Sequence, residues 1–266
     1  MNKVEFIHTF RSYVGYHKSC GIDGYPADQL VRSGLQALSQ QARGESCPED
    51  VSKPGKPAGT EPAEAVSAQP EQKSQLSISE LEAEILRCRN CSLHMQRQVS
   101  TAGSGGGRKP LKLMIVGDWL TVHDKASVTT GALFGSDQDQ MCSRMVEAIN
   151  LNGEDVFVTN VIKCSVPEMS QPNAEHIGRC SSYLHMQIEL LRPQLICSMG
   201  IIASRLLTAQ TRPLSQQRGR FFVYKTGSGS QIPVMPTYHP TFLLQNPEMK
   251  QATWADLQAI KQKLSG

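Results

Sequence analysis

The sequence holds two groups of residues able to do chemistry. The first is sulfur. Cys88-Arg89-Asn90-Cys91 is a C-x2-C pair, and Cys164 and Cys180 follow after gaps of 72 and 15 residues. Zinc sites favour a C-x2-C pair but usually answer it with a second close pair, whereas four thiolates gathered from distant loops can hold a [4Fe-4S] cluster. Spacing alone leaves a cluster, zinc and unligated thiols all open. Eight cysteines in a chain whose N-terminus lacks an apolar signal core are not expected to form a disulfide set. Cys142 and Cys197 fall inside helix-like and strand-like runs, where a small apolar thiol is the ordinary explanation, and Cys20 and Cys47 also stand apart from the quartet.

The second group is polar. Gly117-Asp118, Thr159-Asn160 and Tyr238-His239-Pro240 each follow a strand-like apolar run. If those strands lie parallel in an open α/β sheet, ligands bind outside their carboxyl ends, and a carboxylate, an amide and an imidazole meet on one rim. Taken singly, an Asp or Asn after a strand is commonly a turn or helix cap, and a His before Pro is an ordinary loop residue. Their joint placement is what points to a site.

The elements that must position these groups are legible in the periodicity. Strand-like runs at 111–116, 156–162, 195–199, 221–224 and 232–235 alternate with helical patterns at 139–151, 174–191, 201–208 and 252–264. The expected fold is α/β, a three-layer α/β/α sandwich with a mostly parallel central sheet, preceded by a small helical extension. Residues 1–41 read as that N-terminal extension, a helical pair that packs on the main domain or binds another protein. Residues 42–77 hold too few large apolar side chains to offset the entropy of ordering them and read as a flexible low-complexity linker. Residues 78–266 are the functional domain.

Composition narrows the partners. The 266 residues carry 27 Lys and Arg against 24 Asp and Glu, a formal net charge of +3. Residues 42–80 hold seven acidic and four basic residues, so the remainder is mildly basic, which is compatible with a polyanionic partner without demanding one. No stretch approaches 18 consecutive apolar residues, so the expectation is a cytoplasmic protein without a membrane span.

Four stretches carry a more specific pattern. They are Ile85-Leu86-Arg87-Cys88-Arg89-Asn90-Cys91-Ser92-Leu93; Val158-Thr159-Asn160-Val161-Ile162-Lys163-Cys164; Cys180-Ser181-Ser182-Tyr183-Leu184 through Leu190-Leu191-Arg192-Pro193, followed by Met199-Gly200 and a helix; and Tyr238-His239-Pro240-Thr241-Phe242-Leu243-Leu244-Gln245-Asn246-Pro247. In this order and spacing they resemble the iron-sulfur (family 4) uracil-DNA glycosylases of the wider uracil-DNA glycosylase superfamily, over about residues 81–264.

The resemblance implies a monomeric, monofunctional hydrolase that cleaves the N-glycosidic bond of deoxyuridine in single- or double-stranded DNA, as in base-excision repair. It implies a [4Fe-4S] cluster on Cys88, Cys91, Cys164 and Cys180, structural or DNA-orienting because glycosidic hydrolysis transfers no electron. Asn160 would read the pyrimidine edge with an amide that both donates and accepts. His239 would donate to the uracil O2 as negative charge develops there. Phe134 would stack on the flipped ring, Gly117 would join in binding the base, and Asp118 would polarise water or stabilise the sugar cation. Since the base must leave the duplex before it is attacked, Leu243 and Leu244, with Phe242, form an apolar loop suited to wedging into the stack. Arg218, Arg220, Arg108 and Lys109 lie in loops with glycine neighbours, as phosphate contacts often do.

One stretch departs from the family. Where Gly-Glu-Ala/Gly-Pro-Gly is usual, this chain has Gly117-Asp118-Trp119-Leu120-Thr121, and Gly131-Ala132-Leu133-Phe134-Gly135 stands for the usual Gly-x-Pro-Phe-Val-Gly. The departure admits a second reading, an iron-sulfur nucleic-acid-binding protein of the same fold whose catalysis is lost or redirected. Asp124, beside His123, is the next candidate carboxylate; His94, His176 and His185 read as surface or packing residues.

Overall fold

The computed structural model describes residues 77–107, 110–122, 131–168 and 170–266. The expected helical extension, all but the last residue of the expected linker, and Cys20, Cys47, Arg108, Lys109, His123 and Asp124 lie outside the described residues.

Six strands pair in the order β1-β4-β2-β6-β8-β7, where β1 is Ser104–Gly105, β2 Leu113–Gly117, β4 Val156–Asn160, β6 Leu195–Met199, β7 Phe222–Lys225 and β8 Gln231–Thr237. The four central strands are parallel, and both edge strands are antiparallel to their neighbours. Two short strands, β3 (Thr121–Val122) and β5 (Val166–Pro167), pair separately. The central strands are apolar on both faces because both faces are covered. In β2, Met114 and Val116 pack into one layer while Leu113 and Ile115 pack into the other, the period of two that a strand imposes.

Helices α1 (Ile78–Arg87), α4 (Ala174–Leu191) and α5 (Ile201–Thr208) cover the first face, through Leu81, Ile85, Leu184, Ile188, Ala203 and Leu207. Helices α3 (Ser136–Ala148) and α8 (Lys250–Ser265) cover the second, through Cys142, Val146, Leu257 and Ile260. The short helices α2 (Leu93–Gln96), α6 (Leu214–Gln217) and α7 (Pro240–Gln245) complete the described residues' α elements. Capping residues set the starts. Ser77 and Glu80 form a capping box on α1, and Asn173 with His176 does the same for α4, whose other end turns out of the helix at Arg192 before Pro193. The fold is the expected three-layer sandwich.

One boundary differs in a way that matters. The apolar run through Ile162 predicts a longer β4, yet the strand ends at Asn160. Beyond it the Val161 and Ile162 amides cross to the Gly117 and Asp118 carbonyls, at 2.9 and 3.1 Å. This crossing ties the ends of β2 and β4 together and leaves their last side chains facing the rim. In sequence β4 lies on one side of β2 and β6 on the other, so the order of connection reverses at β2, where open sheets form their ligand crevices.

Candidate active site

Gly117 and Asn160 are partners in the β2–β4 register, so two of the expected rim residues sit side by side. A Cβ on Gly117 would stand 2.3 Å from Phe134 Cε1 and 2.6 Å from Asn160 Oδ1. Glycine is required there by close approach, and the contact locates Phe134 against the Asn160 amide. The Phe134 ring meets the His239 ring edge to face with centroids 4.9 Å apart. Asn160, Phe134, Gly117 and His239 therefore gather at one point, reached from β2, β4, the segment before α3 and the end of β8.

The Phe134 segment is held by Asp139 in the first turn of α3. Its carboxylate accepts from the Leu133 and Phe134 amides at 2.9 and 3.0 Å. Asn160 adds a second tie, its Nδ2 donating to the Leu133 carbonyl at 2.5 Å. The amide is thereby oriented: the nitrogen points to Leu133, and Oδ1, in a wholly buried residue, has no partner among the described residues.

His239 presents the complementary case. Its Nδ1 accepts from the Thr241 amide at 3.2 Å as the N-cap of α7. In a neutral ring the proton then resides on Nε2, and Nε2 is buried without a partner. Burial holds the imidazole pKa down at about 4, so the ring is neutral near pH 7. The site thus displays one unpaired acceptor and one unpaired neutral donor against an aromatic face. Buried polar atoms normally find partners, and such a pair is what a ligand edge would satisfy.

Asp118 stands at the same rim but is engaged. Its carboxylate accepts from the Ile201 amide at 3.1 Å and the Ala203 amide at 2.8 Å, across the β2–β6 crevice at the N-terminus of α5. Gly200 permits the approach, since a Cβ there would lie 2.4 Å from Asp118 Oδ2, and its φ of 108° also favours glycine. Burial pushes the Asp118 carboxyl up to about 7 against the pull of these amides. The Ile202 amide adds to this hold on the carboxylate.

Two of the residues expected to contact DNA are engaged within the protein. Arg218 points inward: its guanidinium forms two bonds to Asp256, at 3.0 and 2.8 Å, and another to the Ala252 carbonyl, and it lies over the Tyr238 ring. Asp256 in turn accepts from Thr237 at 2.7 Å, anchoring the strand end that carries His239. Leu243 is 1% exposed and packs with Met141, Ile201, Leu214, Tyr238 and Phe242, because α7 turns that side chain toward the core. Leu244, 38% exposed, and Arg220 remain on the surface.

The four cysteines line one recess together with Asn90, Leu93, Ile162, Lys163 and Arg179. Cys88 ends α1, Cys91 precedes α2, Cys164 follows β4 and Cys180 lies in α4. Three donors point at their sulfurs: the Asn90 amide to Cys88, Arg97 Nη1 to Cys164 at 3.4 Å, and the Lys163 amide to Cys180 at 3.3 Å. Arg97 also holds the Cys88 carbonyl at 2.9 Å. Burial raises the Cys164 thiol pKa and pushes Cys180 up to about 11. Among the described residues no three His, Cys, Asp or Glu side chains converge on one point as a lone ion requires. Cys142 and Cys197 lie in the core, far from any such role.

Sequence reading passed over Lys163 and Gln187, both fully buried beneath Asn160. The one signal was a lysine inside an otherwise apolar run. His176 and His185 take up packing roles, bonding Ser92 and Tyr224 respectively.

Comparison with known proteins agrees with this geometry. The family model "Uracil DNA glycosylase superfamily" matches residues 105–258. The type-4 uracil-DNA glycosylase of Saccharolobus solfataricus is 29% identical over 187 residues, covering 68% of this chain and 84% of that protein. That of Archaeoglobus fulgidus is 27% identical over 188 residues, covering 69% and 92%. The type-5 uracil-DNA glycosylase of Pyrobaculum aerophilum is 30% identical over 91 residues, covering 34% and 38%.

Proposed function

Because the chain belongs to the uracil DNA glycosylase superfamily, we propose that it hydrolyses the N-glycosidic bond of deoxyuridine in DNA, as a monomer acting in the cytoplasm on bases exposed by deamination of cytosine. No helix among the described residues is long and apolar enough to cross a membrane. The observation that carries the reading is the unpaired pair, Asn160 Oδ1 and His239 Nε2, flanking Phe134. Uracil presents an N–H at N3 to the first and O2 to the second, with its ring face on Phe134.

Cleavage leaves uracil as an anion and the sugar with cationic character. A neutral His239 N–H shortens its bond to O2 as charge arrives there, which favours the transition state over the bound substrate. Asn160 distinguishes uracil from cytosine, whose N3 is an acceptor and would face the amide oxygen without a proton between them. Asp118 holds the attacking water, and its negative charge, when ionised, stabilises the sugar cation. Leu244 enters the stack from which the base has left, and Arg220 meets phosphate.

The recess that brings the four thiols together supports a [4Fe-4S] cluster. Cys88, Cys91, Cys164 and Cys180 would hold it. When bound, it supplies a crosslink between α1, α4 and the segment after β4 rather than a chemical step.

Single-turnover excision on a uracil-containing oligonucleotide tests the reading. His239→Ala is expected to lower the rate about 100 to 1000-fold with DNA affinity retained, and Asn160→Ala to lower it and admit other bases. A wild-type protein that binds the oligonucleotide and releases no uracil overturns the assignment in favour of redirected or lost catalysis.

A further inference from the structure

Lys163 is 1% exposed, and its ammonium is surrounded by three acceptors: Thr159 Oγ1 and the Asn160 carbonyl, each at 2.7 Å, and Gln187 Oε1 at 2.6 Å. An ammonium has three N–H groups, and all three are used. The acceptors are themselves tied down. Gln187 Nε2 donates to the Ala102 carbonyl at 2.6 Å, and Thr159 Oγ1 donates to the same carbonyl at 2.9 Å. The reason for a cation here lies in the sheet. Edge strand β1 pairs with β4 only at Phe157 and Val158, so the outer side of β4 has no strand opposite its last two residues. The Asn160 carbonyl, which a longer β1 would serve, receives the lysine instead.

We propose that Lys163 is a positioning residue for base recognition: its ammonium fixes the main chain of Asn160 from α4, and so sets the Asn160 amide against the base. The proposal rests on the reading of Asn160 as the residue that meets the uracil edge. A packing role alone does not call for a lysine. Burying an ammonium carries a desolvation cost that an apolar side chain of the same length avoids, and the charge is placed on the one carbonyl whose residue must hold its side chain unpaired. The Asn160 side chain has a single tie of its own, to Leu133, so main-chain drift at residue 160 moves Oδ1 directly.

The test uses the full chain with its metal content intact, in single-turnover excision with enzyme in excess. Lys163→Met removes the cation. Lys163→Met combined with Gln187→Met also removes the buried amide oxygen left without its partner, so that the Asn160 carbonyl still lacks the ammonium while Gln187 no longer adds a cost of its own; Ala102 keeps its bond from Thr159. In both variants the rate constant should fall about 100-fold, the loss that a displacement of about 1 Å at a reacting group can cause. Active fraction, oligonucleotide affinity and iron content should stay at wild-type values. A merely structural role would lower the active fraction and leave the rate constant unchanged. Recovery of the wild-type rate in the double variant, or loss of iron in Lys163→Met, overturns the proposal. Asn160→Ala run in parallel separates the two layers. An undiminished rate there removes the underlying reading, whereas a slowed Asn160→Ala beside a wild-type rate in Lys163→Met removes only the lysine's role.

Discussion

Asp118→Asn should disable the protein while gaining stability on the wild type as pH rises to neutral. The carboxyl pKa rises from 3.8 to about 7 on folding, mainly through burial. Between those values the folded state holds a proton that the unfolded state has released, so stability is greatest below about pH 4 and is lost as pH rises through 7. Each pH unit in that window is about 1.4 kcal/mol, and the whole of it about 4 kcal/mol as an upper bound. Asparagine is neutral like the protonated carboxyl, but its NH2 replaces one of the two oxygens that accept from the Ile201 and Ala203 amides and so loses that bond at every pH. The variant should therefore start below the wild type by about 1 to 3 kcal/mol near pH 4.5 and gain on it steadily to pH 7.5. At roughly 2 to 4 °C per kcal/mol for a domain of this size, the difference in melting midpoint should shift by about 8 to 16 °C at most. Midpoints measured at half-unit pH steps, with groups common to both proteins cancelling in the difference, provide the assay. A constant deficit for the variant at every pH would refute the reasoning, because it would mean that the α5 amides keep the carboxylate ionised despite burial. Excision by the variant should meanwhile fall by about 100-fold or more, as expected on removal of a group that acts on developing charge.

Gly117→Ala should abolish base binding and also lower stability by about 1 to 3 kcal/mol, since its methyl overlaps buried Phe134 and Asn160; oligonucleotide competition with an abasic duplex would show retained backbone affinity. Leu244→Ala should slow excision from duplex DNA more than from single strands, whereas Leu243→Ala should act through stability, by about 2 to 5 kcal/mol in denaturant unfolding. Asp118→Glu should lower stability by about 1 to 3 kcal/mol, because the added methylene has no room against Gly200; a stabilised variant would contradict that packing. Serine at Cys88, Cys91, Cys164 or Cys180 should remove iron, measured chemically and by visible absorption, while Cys197→Ala should retain it.

Much of this was legible in the chain itself. Strand β6 and helices α4 and α5 have the bounds that their apolar periods predict, and the rim residues follow from strands whose parallel order the alternation implies. What escaped depends on partners distant in sequence. Arg218 looks like a loop cation until Asp256, 38 residues on, claims it. Asp118 looks free until the Ile201 amide, 83 residues on, closes over it. Lys163 is hidden by its own context, since nothing local announces that β1 stops short and that Gln187 waits on α4. Leu243 and Leu244 differ only by a rotation of about 100° around a short helix, and pattern alone does not fix its phase.

The tie between Asn160 and Leu133 also bears on how this protein tolerates sequence change. The acceptor that orients the Asn160 amide is a main-chain carbonyl, which every amino acid at position 133 would supply. On the proposed reading, rejection of cytosine depends on residue 133 through its carbonyl, and through its side chain only so far as the packing of buried Leu133 keeps that carbonyl in place. It is vulnerable to insertions and deletions between Gly131 and Asp139, which move the carbonyl itself. Such a loop is constrained in length as well as at Phe134 and Asp139, whose side chains face the site and hold the segment, and its length joins Asn160 as a quantity to alter when a different base is to be admitted.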